Sequence, residues 1–136
     1  MSRPQYTLMD LPERADARGA LMFAQQGHQV PFPVKRMFAI YKVAEGSSRG
    51  GHAHREQHQF LMMVAGSAAI TIDDGQTSSR VVLDRPNMAL YVPPMLWLDL
   101  DDFSQDAVCV VLVSDLYSEA DYIRDRDTFV RLSGSV

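Results

Sequence analysis

Ten short apolar-rich segments alternate with turn signals along this chain, and this pattern restricts the possible fold more than any other feature. Each segment has the length and the polarity of a β-strand that buries at least one face. Evenly spaced short strands are typical of an antiparallel sandwich or barrel, among which a jelly roll fits best. The predicted strands are residues 5–9, 20–24, 34–42, 51–54, 58–64, 68–73, 80–83, 88–92, 96–100 and 107–113.

Turn and helix signals complete the predicted architecture. Asp73-Asp74-Gly75 predicts a hairpin between strands 68–73 and 80–83, because Asp-Gly favours the backbone of tight hairpin loops. Only the C-terminal part has helical character: Ser118-Glu119-Ala120-Asp121 resembles a capping box, and residues 122–129 continue it. We therefore predict an all-β, antiparallel jelly roll with a short C-terminal helix, formed as one domain over residues 1–136.

Composition and charge exclude several classes of protein. Hydrophobic residues make up 46% of the 136 residues, which is enough for a globular core. The net charge is −4 and no long block of like charge occurs, so no general nucleic-acid binding is expected. No apolar stretch is long enough to span a membrane and no secretion signal is visible, so we expect a cytoplasmic protein. Cys109, in an apolar run, is expected to be a reduced core thiol.

A cluster of three histidines is the strongest functional signal. His52 and His54 follow the glycine-rich run 45–51, and His58 comes four residues later, although the chain has only four histidines. In a strand, residues i and i+2 face the same side, with α-carbons about 6–7 Å apart. Two imidazoles at that spacing converge on one small volume, where they can bind a metal ion or move a proton between adjacent atoms.

The histidines also resemble the first sequence motif of the cupins. The match runs from Gly46 through His52, His54 and His58 to Gly66, with His58 where the motif normally has a glutamate. The second cupin motif normally adds a histidine, but the corresponding residues 93–98 contain none. Because one expected ligand is replaced and another is absent, we predict no metal and no other cofactor. Three imidazoles can still bind zinc, iron or nickel, so a metal-dependent cupin enzyme stays an alternative.

A larger set of residues makes the chain resemble the nucleotide-sugar 3,4-ketoisomerases, the cupins that act on dTDP-4-keto-6-deoxyglucose. The resemblance extends over nearly the whole chain and rests on the order and spacing of its motifs together. These are Asp16-Ala17-Arg18-Gly19, Pro31-Phe32-Pro33-Val34-Lys35-Arg36, Arg49-Gly50-Gly51-His52-Ala53-His54, His58-Gln59, Asp73-Asp74-Gly75, Leu90-Tyr91-Val92, Asp102-Phe103-Ser104, Ser114-Asp115-Leu116-Tyr117 and Asp121-Tyr122-Ile123-Arg124. The resemblance implies a metal-free jelly roll, usually a homodimer with exchanged N-terminal strands, that makes deoxysugars for surface polysaccharides or glycosylated natural products.

By this resemblance His52 and His54 form the catalytic acid/base pair. Moving a ketone from C4 to C3 of a sugar requires removal of the C3 proton, stabilisation of the enediolate and protonation at C4. The two reacting carbons are adjacent, so two neighbouring imidazoles can exchange protons with both. Arg49, three residues before His52, is predicted to hold the ketone oxygen or a phosphate.

Five further residues are candidates for binding the nucleotide sugar. Arg18 and Arg36 are candidates for the pyrophosphate, because guanidinium binds phosphate in bidentate fashion; ordinary salt bridges are the alternative. Tyr41 and Tyr91 are candidates for orienting the sugar or stacking on the base, with simple packing as the alternative. His58 is assigned to the substrate or to a structural role beside the histidine pair.

One position departs from the family pattern. Members of the family commonly have a histidine directly after the tryptophan of this region, whereas Leu98 follows Trp97 here. Asp99 is polar, but in a strand its side chain faces the side opposite to that of Leu98. This departure leaves open a second alternative, a cupin that binds a sugar nucleotide without converting it.

Overall fold

The computed structural model describes residues 2–134, and within them β-strands form most of the regular structure. A 3₁₀ turn, Glu119–Asp121, and one helix, α1 (Arg126–Ser133), lie near the C-terminus. All the pairings between strands are antiparallel. The strands are β1 (Thr7–Asp10), β2 (Glu13–Asp16), β3 (Gly19–Met22), β4 (Arg36–Tyr41), β5 (Arg49–His54), β6 (Gln59–Ala65), β7 (Ala68–Asp73), β8 (Ser78–Leu83), β9 (Met88–Val92), β10 (Trp97–Asp101), β11 (Val108–Val113) and β12 (Tyr122–Ile123).

The strands form two five-stranded sheets and a separate hairpin. Sheet I has the strand order β1-β9-β6-β11-β4, and sheet II has the order β12-β5-β10-β7-β8, while β2 and β3 pair only with each other. Apart from β7 and β8, the neighbours in each sheet are not consecutive in sequence, so the chain crosses repeatedly from one sheet to the other. The predicted antiparallel jelly roll with a short C-terminal helix is confirmed.

The predicted hairpin at Asp73-Asp74-Gly75 is confirmed as the connection between β7 and β8. The two strands pair from Asp73 opposite Ser78 to Ala68 opposite Leu83. The side chain of Asp73 accepts a hydrogen bond of 2.7 Å from the Gly75 amide, and φ of Gly75 is +98°. The turn therefore uses the side-chain acceptor and the conformational freedom that the sequence pattern indicated.

Apolar clusters lie on both faces of sheet I. On β6, Leu61 and Met63 face sheet II and belong to the main core, whereas Phe60 and Met62 face the other side. There they pack against Val30 and other residues of the N-terminal segment. Burial on both faces explains why β6 is a continuous apolar run instead of an alternating one. Burying one such large side chain contributes roughly 1.5–3 kcal/mol to stability.

The strand β2 was not predicted, because its four residues are exposed and mostly polar. Its pairing with β3 forms a hairpin that carries few buried side chains. Cys109 lies in the core between the sheets, and burial raises the pKa of its thiol to about 12, as expected for a core thiol. In the described part of the chain, no helix has the length and apolar character needed to cross a membrane.

The predicted start of the helix at Ser118 was wrong. Ser118 makes no capping hydrogen bond with its side chain, and only the 3₁₀ turn follows it. Tyr122–Ile123 instead pairs with β5, opposite His54 and Ala53, which shows that a tertiary contact overrides the local helical preference. The helix begins at Arg126 after Asp125, whose carboxylate accepts a hydrogen bond of 3.0 Å from the Thr128 amide.

Candidate active site

A cavity of about 770 Å³ lies between the sheets, where β4, β6 and β11 face β5, β10 and β12. One part of its wall is apolar and comprises Phe38, Ile40, Leu61, Leu98, Leu100 and Val111. The remaining wall includes the charged or polar side chains of Tyr41, Lys42, Arg49, His52, His54, Gln59, Tyr122 and Arg124. A cavity that combines an apolar wall with convergent polar groups is typical of a small-molecule site.

His52 and His54 lie side by side on this wall, as the alternation of β5 predicts. Their ring centroids are 5.2 Å apart and the rings meet edge to face at 82°. The ring of Tyr122, from the neighbouring strand β12, lies 4.9 Å from His52 and 4.4 Å from His54. Packing of three rings fixes both imidazoles at the cavity surface, where two adjacent atoms of a ligand can meet both.

A β-bulge in β5 brings Arg49 to the same cavity. Arg49 lies three positions before His52, so a regular strand would place the two side chains on opposite faces. Gly50 and Gly51 have φ values of +93° and +76°, and the register against β10 shifts there. As a result His52 lies opposite Leu98 and Arg49 lies opposite Leu100, two residues that line the cavity. An extra residue in one strand re-aims the side chains on either side of it.

His54 is anchored by a carboxylate that sequence reasoning missed. Its Nδ1 atom lies 2.9 Å from Oδ2 of Asp121, and its Nε2 atom lies 3.4 Å from Nε2 of Gln57. Asp121 also accepts a hydrogen bond of 2.7 Å from the Glu56 amide. The two partners of this contact are 67 positions apart in the chain. Only the pairing of β12 with β5, which the sequence did not predict, brings them together.

Burial lowers the proton affinity of both imidazoles. It is the main cause that lowers the pKa of His52 to about 4, and the neighbouring His54 and Arg124 lower it further. Burial also lowers the pKa of His54, although the hydrogen bond and the charge of Asp121 oppose this change. Both rings are therefore neutral near pH 7, which is the form that accepts a proton from a substrate.

The depressed pKa of His52 leads to a prediction about stability. An unfolded chain protonates this ring near pH 6.5, whereas the folded chain protonates it only near pH 4. Stability is therefore lost as the pH falls below about 6.5. We expect urea denaturation to show a falling free energy of unfolding from pH 7 to pH 5. In His52→Asn the fall should be smaller over the same interval; equal slopes in both proteins would contradict the prediction.

A charged cluster borders the cavity beside Tyr122. The guanidinium of Arg124 lies 4.2 Å from the centroid of the Tyr122 ring. The same group makes a bidentate ion pair with Glu119, with N···O distances of 2.6 and 3.0 Å. Tyr117 donates a hydrogen bond of 2.6 Å to Glu119, and its ring lies 5.7 Å from that of Tyr122. These contacts hold the Arg124 guanidinium at the cavity wall, and the sequence did not identify Arg124 as a site residue.

Arg36 and Arg18 do not line the cavity, whereas Tyr41 does. Arg36 donates a hydrogen bond of 3.2 Å to Oε1 of Gln57, the residue whose amide nitrogen faces His54. Arg36 is therefore one contact removed from the histidine pair. Arg18 lies between β2 and β3 with 91% of its side chain exposed, and it pairs with Asp16 at 2.8 Å. The salt-bridge alternative describes Arg18 within this single chain.

His58 and Tyr91 lie together, apart from the cavity. The His58 Nδ1 atom is 2.7 Å from the Tyr91 hydroxyl oxygen, and the two rings stack at 5.9 Å. Phe32, from the cluster on the outer face of sheet I, contacts both rings. The alternative of a metal held by His52, His54 and His58 is thus corrected: within residues 2–134, no three His, Cys, Asp or Glu residues are placed to hold a metal ion together.

Leu98 lies on β10 directly opposite His52 and is almost fully buried. It lines the cavity, so the position at which the chain departs from the family pattern belongs to the site. Its side chain adds apolar surface beside His52. Asp99, on the other face, accepts a hydrogen bond of 3.2 Å from the Trp97 indole and does not replace a polar group at position 98.

Comparison with known proteins gives one consistent result. The model of the family described as "FdtA: WxcM-like, C-terminal" matches residues 4–134. A curated relative, the TDP-4-oxo-6-deoxy-alpha-D-glucose-3,4-oxoisomerase of Aneurinibacillus thermoaerophilus, is 40% identical over 114 residues. The alignment covers 84% of this chain and 82% of that protein.

Two solved structures of high similarity are also those of 3,4-ketoisomerases. A 3,4-ketoisomerase from Helicobacter canadensis is 36% identical with a TM-score of 0.92, covering 96% of this chain and 98% of that one. A mutant of the 3,4-ketoisomerase QdtA from Thermoanaerobacterium thermosaccharolyticum, in complex with TDP-4-keto-6-deoxyglucose, is 31% identical with a TM-score of 0.92. That match covers 96% of this chain and 94% of QdtA.

Proposed function

The chain belongs to the FdtA family (WxcM-like, C-terminal) and is an isomerase of the sugar 3,4-ketoisomerase type, and on this premise we propose that it moves the keto group of a dTDP-4-keto-6-deoxyhexose from C4 to C3. One observation carries the proposal: His52 and His54 lie 5.2 Å apart on the wall of a cavity of about 770 Å³. The class of substrate is supported by the relatives, one named for TDP-4-oxo-6-deoxyglucose and one bound to TDP-4-keto-6-deoxyglucose.

In the proposed reaction the histidine pair moves the protons. One neutral imidazole removes the proton from C3, and the electron pair of that bond stays on the sugar as an enediolate. The hydroxyl proton moves from O3 to O4, and protonation at C4 then yields the 3-keto isomer, so no oxidant or reductant is consumed. The low pKa of His52, about 4, keeps its ring neutral and available as a base. We assign Arg49, which lines the same cavity, to the stabilisation of the negative charge on the enediolate oxygens.

Two cations other than Arg49 suit the diphosphate of the substrate. Lys42 and Arg124 line the cavity, whereas Arg36 contacts the histidine pair through Gln57. We therefore assign the diphosphate to Lys42 and Arg124, because both are cations of the cavity wall that attract phosphate oxygens. Tyr41, at the end of β4, remains a candidate for contact with the sugar or the base.

The test is incubation of the protein with dTDP-4-keto-6-deoxyglucose in deuterated water, followed by NMR of the sugar. We expect signals of a 3-keto sugar that carries deuterium at C4, because the proton delivered there comes from a group that exchanges with solvent. Substrate without protein serves as the control for spontaneous exchange. An unchanged spectrum, with no deuterium at C3 or C4 beyond that control, would contradict the proposed function.

We further propose that the chain forms a homodimer by exchange of N-terminal strands. The hairpin of β2 and β3 is exposed along most of its length and pairs with neither sheet. Leu21 on this hairpin is 59% exposed, and Met37 on β4, an edge strand of sheet I, is 55% exposed. Open edges and exposed apolar side chains favour pairing with a second copy. In such a dimer the hairpin carries Arg18 to the partner, where it is a candidate phosphate ligand.

The dimer gives a prediction for light scattering. We expect a mass of twice 15.3 kDa at micromolar concentration. Leu21→Lys should shift the protein toward the monomer, since a charge on the exchanged hairpin would be buried against the partner. Val82→Lys is the matched control, because Val82 is 55% exposed on β8, an edge strand of sheet II. A native protein of monomer mass, or equal effects of both substitutions, would contradict strand exchange.

The substrate class also suggests where the reaction takes place. We propose that the chain contributes to deoxysugar biosynthesis for polysaccharides or other glycosylated products, and that it acts in the cytoplasm. This assignment is supported by the class of sugar named for its relatives and by the water-soluble, doubly charged diphosphate of that substrate.

A further inference from the structure

We infer that Asp121 is a positioning residue that sets which nitrogen of His54 exchanges the substrate proton, and that this nitrogen is Nε2. The inference rests on the proposed function in so far as it assigns a step of that reaction. Its structural basis is the contact of 2.9 Å between Asp121 Oδ2 and His54 Nδ1. Both side chains are largely buried, with exposed fractions of 12% and 3%.

Asp121 is itself held firmly against β5. Its backbone carbonyl accepts a hydrogen bond of 2.9 Å from the Arg55 amide. Oδ1 of its side chain accepts a hydrogen bond of 2.7 Å from the backbone amide of Glu56, and Oδ2 accepts one of 3.3 Å from the backbone amide of Gln57. The carboxylate therefore has little freedom to turn away from His54, which lies just before these three residues.

The carboxylate determines the tautomer of His54. An ionised carboxylate only accepts hydrogen bonds, so the His54 nitrogen that faces it must carry a proton. In the neutral ring Nδ1 is then the donor, and Nε2 keeps the lone pair. A proton taken from the sugar can enter only at Nε2, where a new N–H bond forms while the C–H electron pair stays on the enediolate. The resulting imidazolium is stabilised by Asp121.

Gln57 holds the opposite side of the same ring. Gln57 is buried, and its Oε1 accepts a hydrogen bond from Arg36, so its amide nitrogen is directed at His54 Nε2. The N···N separation of 3.4 Å is long for a hydrogen bond. The contact is therefore weak, and it orients the ring with Nε2 as the acceptor, in agreement with the Nδ1–H tautomer.

Asp121→Asn tests the inference, because the contact with the Glu56 amide decides how the new amide turns. That amide needs an acceptor, so the asparagine oxygen takes the place of Oδ1 and its NH₂ group faces His54 Nδ1. The proton of the neutral ring must then move to Nε2. In long-range ¹H–¹⁵N spectra we expect His54 to change from the Nδ1–H to the Nε2–H tautomer.

The second readout is steady-state kinetics. We expect kcat to fall by at least about 10²-fold with little change in KM, since the equivalent exchange behind the histidine of serine proteases costs about 10⁴-fold. Asp125→Asn is the control: it removes the same charge, asparagine still caps α1, and Asp125 has no contact with His54. Asp121→Ala should leave both tautomers populated and also lower kcat.

The outcomes separate the inference from the proposed function. An Asp121→Asn protein that keeps the Nδ1–H tautomer of His54 and turns over within about threefold of the native rate would overturn the inference while the proposed function stands. A native protein that never converts the sugar would overturn the proposed function. The tautomer spectra then still decide whether Asp121 positions His54, because they need no turnover.

Discussion

Replacing His54 with asparagine is expected to lower turnover by roughly 10²–10⁴-fold, the usual cost of losing a positioned acid or base. Asparagine has no titratable nitrogen, yet its amide can keep a contact with Asp121, which lies 2.9 Å from the imidazole. The cavity should therefore retain its shape and bind TDP with similar affinity. The same loss is expected for His52→Asn, because the two rings lie together on one wall.

The measurement compares kcat of the variants in the NMR assay with TDP affinity from calorimetry. His28→Asn is the matched control, since His28 lies on an exposed loop and the exchange is chemically identical. Its rate should stay within about twofold of the native rate, as expected for an exposed residue away from the site. Native turnover in both cavity variants would show that the proton-transfer site lies elsewhere, whereas loss of TDP binding would assign the histidines to binding.

The sequence predicts the part of the site that depends on residues close together in the chain. The spacing of His52 and His54 places both on one face of a strand, and this periodicity holds wherever β5 pairs. Asp121 could not be predicted, because it reaches His54 only when two residues of β12 pair with β5. Local sequence signals favour a helix over that segment, so they give no indication that it pairs with β5.

For His58 and Arg49, strand alternation alone predicts the wrong placement. His58 shares the even numbering of the pair, yet the bend after His54 places it immediately before β6, where it contacts Tyr91 instead of lining the cavity. Arg49 has odd numbering, yet the bulge at Gly50 and Gly51 returns it to the cavity. The fold class follows from a pattern repeated over ten segments, whereas each of these placements depends on one irregularity in one strand.

Gly50→Ala is expected to weaken both the fold and the activity, because the bulge at this position has no space for a side chain. A Cβ atom at Gly50 would lie 2.7 Å from the carbonyl oxygen of Leu98 and 3.4 Å from Cδ1 of Leu100. The φ value of +93° also disfavours alanine. Backbone strain of this kind costs about 1–3 kcal/mol, and the clash must be relieved by moving β5 away from β10.

The activity should fall with the stability, because the same pairing sets His52 opposite Leu98. Gly46→Ala separates the two causes: Gly46 has a similar φ of +77°, but a Cβ atom there has no neighbour within 4 Å. Urea denaturation should therefore show a larger loss for Gly50→Ala, and kcat should fall at least tenfold only in that variant, since a misplacement of about 1 Å can cost 10²-fold. Equal losses in both variants would attribute the effect to the φ angle alone. The close approach of β5 to β10 would then have no part in placing His52.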